Sequence, residues 1–214
     1  MNPQSPADRR FRRLPLLLLA TLLSGCLGSL VPRAQERAIY TLAAPEAMRA
    51  RQPLPGALLV ELPKAIAPLA SQDVVVIRAD GEVQVLPGVR WAATAPQLLH
   101  ELIARQIELA GSAPSVAKSA QAYVQPLRLA IELVAFELRD NQGALSAHAA
   151  VTLELVCTRE ARVIAASPPL AVDAAPVPNQ PVAATAALRA AATVLARQVV
   201  FWLDKVDASS CSID

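Results

Sequence analysis

Two histidines, three cysteines and a scatter of carboxylates are the side chains through which this chain could do chemistry. His100 falls at the edge of a predicted helix's apolar face and His148 in the polar phase of a predicted strand, so both read as structural or solvated. His148 and Cys157 stand nine residues apart, which places them on opposite faces of a strand and leaves no metal-ligand spacing. The seven glycines supply no G-x-x-x-x-G-K-[ST] loop, no G-x-G-x-x-G turn and no G-x-S-x-G elbow. The acidic residues are scattered singly, with nothing to pair two of them as acid and base. Neither a catalytic set nor a metal site is assigned, and the chain reads as a non-enzyme.

One thiol stands apart from this inventory. Arg9, Arg10, Arg12 and Arg13 precede an apolar run from Leu14 to Leu23, followed by small residues, the three-part pattern of an export signal. Leu23-Ser24-Gly25-Cys26 then resembles the lipobox of bacterial lipoproteins. The resemblance implies cleavage before Cys26, a diacylglycerol thioether on its sulfur and an acyl chain on its new amino group, with no other cofactor. Two or three acyl chains anchor a protein durably, whereas one holds it only marginally. A retained transmembrane helix is weakened by Pro15, Gly25 and Gly28. Leu27 occupies the position where Asp would signal inner-membrane retention in the enterobacterial pattern, so the resemblance favours the outer membrane, facing the periplasm.

Removing residues 1–25 leaves 16 basic against 17 acidic side chains, with no basic stripe for nucleic acid. Hydrophobic residues are 54% of the chain but aromatics only 3%, which suits a modest Ala-, Leu- and Val-rich core. Residues 26–38 read as lipidated anchor and tether, and 39–214 as a single periplasmic domain. In an oxidising compartment Cys157 and Cys211 can join, stapling the tail to the sheet. A buried thiol and an exposed one stand as the equal alternative.

Periodicity predicts an α+β domain: a mixed or antiparallel sheet built from hairpins, with two amphipathic helices packed on it. Ala57 to Leu62 reads as a strand ended by Pro63. Val74 to Arg78 and Glu82 to Leu86 flank the turn dipeptide Asp80-Gly81. Thr94, Pro96 and Gln97 mark a helix start, after which Leu99, Leu102, Ile103, Ile107 and Ala110 share one face, largely opposite Glu101, Arg105 and Glu108. Leu127 to Leu133 and Leu145 to Leu155 alternate on either side of Asp140 to Gly143, which predicts a long hairpin. A strand over Arg162 to Asp173 is interrupted by Pro168-Pro169, and a final helix carries Leu188, Ala192, Leu195, Val199 and Trp202 as one stripe. Each half thus reads as strands followed by a helix, a loose βββα order taken twice.

The order of these features resembles the ABC-type transport auxiliary lipoprotein family, which includes the paraquat-inducible protein C group. The likeness rests on the lipobox, Tyr40-Thr41-Leu42 with Pro45, a strand ending in Leu62-Pro63, and Gly88, Arg90, Trp91 and Ala92 leading into Pro96. It covers the chain from about Tyr40 to the last helix, and departs over the Ala- and Pro-rich stretch from Ala165 to Ala184. It implies an auxiliary component of a transport system whose MCE-domain protein is its partner, moving phospholipid or a similar apolar solute, with self-association as a further expectation. Arg90 and Trp91 match the family pattern, as core or as partner contact. An envelope-biogenesis or structural lipoprotein without a transport role is the alternative.

Overall fold

The computed structural model describes residues 36–43, 45, 47–119 and 125–211, so Leu23, Ser24, Gly25 and Cys26 lie outside the described residues. The organising element is a long antiparallel hairpin formed by β7 (Leu127–Asn141) and β8 (Ala144–Cys157). Its two-residue loop, Gln142-Gly143, places both residues at positive φ (58° and 96°), the backbone twist that a tight hairpin requires. The Asp140 carboxylate accepts the Gly143 N–H at 2.9 Å and holds that turn. Alternation sends Leu127, Leu129, Ile131 and Leu133 inward to face Cys157, Leu155, Leu153 and Val151. A bulge at Val134 then resets the phase, so Phe136 and Leu138 continue the core.

Shorter strands line up along the outer edges of this hairpin. β2 (Leu58–Val60) and β3 (Val75–Arg78) pair in parallel with successive parts of β7. β4 (Val83–Val85) pairs antiparallel with β3, and β6 (Val116–Ala117) in parallel with β2. Along β8 lie β9 (Arg162–Ala166), β10 (Leu170–Asp173) and β11 (Val177–Pro178), all antiparallel to it. Pro168-Pro169 divides what periodicity reads as one strand into β9 and β10, because prolines cannot donate to the ladder. A separate parallel pair joins β1 (Ala38–Tyr40) to β5 (Val89–Trp91). The strand read over Ala57 to Leu62 is shorter in the structure: β2 ends at Val60, and beyond it Glu61 and Lys64 keep backbone bonds to β7 on either side of Pro63.

Helix α1 (Ala95–Ala110) starts with a capping box between Thr94 and Gln97 and ends at Gly111, which takes the left-handed conformation at φ 68°. Helix α2 (Pro181–Leu203) packs on β8, where Ala147 and Ala149 leave room for close approach, and also on α1. With a mean hydropathy of 1.3 it is long and apolar enough to cross a membrane, yet Leu188, Ala192, Leu195 and Val199 are fully buried as a core stripe. Both helices contribute to one core with the inward faces of β7 and β8. In each half strands precede a helix, but β2 and β3 both lean on β7, whereas β7 and β8 pair with each other. The fold is α+β with a mixed sheet.

Candidate interaction surface

The sheet face opposite the core leaves a row of apolar side chains uncovered, while other exposed ones, such as Leu109 and Val182, stand on the helices. After β2 the backbone stays beside β7: the Lys64 N–H donates to Ile131 O and the Leu133 N–H to Lys64 O, both at 2.8 Å. The segment from Ala65 to Leu69 then passes beside Val75, so Val75 is only 2% exposed although its phase is that of the outer face. Between this segment and the sheet runs a groove of about 430 Å³, lined by Ile66, Leu69, Ile77, Val83 and Val134 among others. Ile66 is 81% exposed and Val134 50%. Alternation points Val134 outward, and the bulge leaves it unpaired between the buried Leu133 and Ala135.

Three charged residues border this groove: Lys64, Glu132 and Glu137. Glu137 is buried, and its carboxylate accepts the Phe136 N–H at 3.2 Å and the Arg139 Nη2 at 3.3 Å, which offset its loss of hydration. Glu132 accepts the Thr152 hydroxyl at 3.4 Å. Lys64 is exposed, and its ammonium forms no ion pair among the described residues. Two further hollows, of about 320 and 350 Å³, also touch Lys64, one toward Thr152 and Ser167 and the other toward Leu62 and Lys118. The arrangement offers apolar walls with a cation at the edge. Among the described residues no cluster of His, Cys, Asp and Glu could hold a metal ion.

The residues singled out in the sequence lie elsewhere. Cys157 and Cys211 are joined, with sulfurs 2.02 Å and Cα atoms 5.7 Å apart, so the turn Ser209–Cys211 is fastened to the end of β8. Trp91 is 1% exposed and stacks at a tilt on Phe136, ring centroids 5.5 Å apart, while Arg90 beside it is exposed. His100 is buried against the Val60 carbonyl, its Nε2 at 3.0 Å. His148 Nδ1 lies 2.6 Å from Asp173 Oδ1 across the β8–β10 pair. Midway along α1, Glu101 accepts a hydrogen bond at 2.6 Å from the Lys118 ammonium, which holds that carboxyl below its usual range. Sequence reasoning missed the groove itself. Its one signal was Val134, an apolar residue out of phase in an otherwise regular alternation.

A crystal structure of a Xanthomonas campestris protein is similar over 77% of this chain and 93% of its own, at 26% identity and a TM-score of 0.70. A second crystal structure, of an uncharacterised protein, covers 78% of this chain and 96% of its own at 16% identity and a TM-score of 0.56. The PelC dodecamer from Paraburkholderia phytofirmans is more distant, with 11% identity, a TM-score of 0.43, and coverage of 76% of this chain and 96% of its own. Among curated proteins none matches the sequence. The model of the ABC-type transport auxiliary lipoprotein component matches residues 40–200, three quarters of the chain, and the chain belongs to that family.

Proposed function

We propose that the protein is held by acyl chains on Cys26 in the inner leaflet of the outer membrane, and that its domain docks the MCE-domain component of an ABC transport system. In that position it helps phospholipid or a similar apolar solute across the periplasm. Within a family of transport auxiliary lipoproteins, the observation that carries this reading is the groove on the helix-free face. Its walls, Ile66, Val83 and Val134, stay in water although a sheet face can bury such residues at a gain of about 25 cal/mol per Å² of apolar area. The Lys64 ammonium, without an ion-pair partner among the described residues, adds a cation at the groove's edge that an acidic partner surface or headgroup can meet.

Photo-crosslinking from position 66 in intact cells tests the partner. Recovery of an MCE-domain protein supports the proposal, and recovery of envelope-assembly proteins alone favours a structural lipoprotein instead. Metabolic labelling with a palmitate analogue tests the anchor: a Cys26→Ala variant that is still labelled overturns it.

A further inference from the structure

We propose that the free edge of β4 pairs antiparallel with the same edge of a second copy of this chain, about a two-fold axis through Gln84. The inference rests on backbone geometry and stands apart from the transport reading. In the β3–β4 ladder the Arg78 N–H donates to Glu82 O at 3.0 Å and the Leu86 N–H to Val74 O at 2.8 Å, with Val76 opposite Gln84. Hydrogen-bonded and non-bonded pairs alternate in an antiparallel ladder, so Gln84 turns its backbone groups toward β3. Val83 and Val85 turn theirs away. β4 pairs with no strand other than β3, and none of these outward N–H and C=O groups has a backbone partner among the described residues.

The same edge is apolar. Val83 is 51% exposed and Val85 45%, on the face that carries Ile77 and the groove. Proteins blunt free edges with proline, lysine, bulges or covering segments. On the other side of the sheet such devices are present: Pro168-Pro169 precedes β10, Gln198 Nε2 reaches Ala171 O at 3.5 Å, and Pro178 sits in β11. Within Val83–Val85 no such device is present, and Pro87 limits the free edge to these three residues.

What selects a second copy as the occupant is that Val83-Gln84-Val85 reads the same in both directions. A two-fold axis at Gln84 sets Val83 opposite the second copy's Val85, and the reverse, which satisfies the outward N–H and C=O groups of both valines on each copy. The valines of both copies then form one apolar row that joins the two grooves, and the glutamines meet on the other face. Charge does not oppose the pairing. Glu82 is ion-paired with Arg78 at 3.6 Å, and its opposite residue in this register is Leu86. A three-residue ladder predicts a weak dimer that depends on concentration.

Cysteine trapping with the full-length chain in intact cells tests the axis. In a non-bonded antiparallel pair the facing Cβ atoms lie about 4.5–5.5 Å apart, close enough for a disulfide to form with small adjustment. A Gln84→Cys variant should therefore give a disulfide-linked dimer under mild oxidation, well above the background of the parent and of Ala92→Cys, an exposed control. Val83→Cys alone should crosslink several-fold less, because its opposite residue is Val85. Val85→Pro removes only an outward donor and should shift the detergent-extracted chain toward monomer by about tenfold in concentration, which corresponds to about 1.4 kcal/mol. Absence of the Gln84→Cys dimer, crosslinking of that cysteine to a different protein, or self-association unchanged by Val85→Pro would each overturn the proposal. If Val85→Pro does not fold, the Gln84→Cys result alone decides.

Discussion

Asp204, the residue that ends α2, reaches back across the chain to Arg51: its Oδ1 accepts the Arg51 N–H at 3.0 Å and the Gln52 N–H at 3.4 Å. An acid at a helix C-terminus opposes the helix dipole, so its presence there is explained by the two amides it satisfies rather than by capping. Asp204→Ala should cost about 1 kcal/mol, because those amides are exposed and water can partly replace the carboxylate. Thermal unfolding should show a Tm lower by about 2–4 °C in a domain of this size. An unchanged Tm would mean that the loop is not held from this point.

Trp91 and Arg90 can be separated by the same measurement. Trp91 fills the core against Phe136, so Trp91→Ala should destabilise by about 3–5 kcal/mol. Arg90 is exposed on the same strand, and Arg90→Ala should stay within about 0.5 kcal/mol of the parent. If both substitutions leave stability intact, the pair serves a partner and not the core.

The Cys157–Cys211 bridge joins residues 54 positions apart and encloses β9 to β11 and α2. Replacing both cysteines by alanine should lower stability by about 2–4 kcal/mol, chiefly by freeing the unfolded chain. Reductant should reproduce the loss in the parent and leave the double variant unchanged. Two titratable thiols in the denatured, unreduced parent would show that the bridge does not form.

The Glu101–Lys118 pair joins α1 to the region of β6. Its carboxyl pKa is lowered, first by the hydrogen bond from Lys118, so the folded state binds this proton less readily than the unfolded chain. The stabilisation is fully present above the ordinary glutamate pKa and is lost as pH falls through the lowered one. Both side chains are largely solvated, which keeps the effect below about 1 kcal/mol. A Lys118→Ala variant should lose stability relative to the parent at neutral pH and converge with it in acid.

Much of this architecture could be read from residue order. The Thr94–Gln97 box marks the start of α1, and alternation on both sides of the Asp140–Gly143 turn marks the long hairpin, because each signal is local. The parallel docking of Leu58–Val60 and Val75–Arg78 onto β7 is different. Those strands are three and four residues long and pair far along the chain, Leu58 with Leu127 and Val75 with Glu137, so no short-range pattern encodes their neighbour. The groove was hidden for a related reason. It exists only where the bulge at Val134 meets the segment from Lys64 to Leu69, and those two stretches are unrelated in sequence.

The β7–β8 hairpin serves as a shared template, and this dictates an order of assembly. A chain synthesised amino terminus first presents β2 and β3 as bare edges until Leu127–Asn141 has followed, and α2 comes later still. Topologies dominated by such distant pairings fold slowly, on the order of milliseconds to seconds. Truncation anywhere before β8 should therefore leave β2 and β3 without a completed template and yield no smaller working domain.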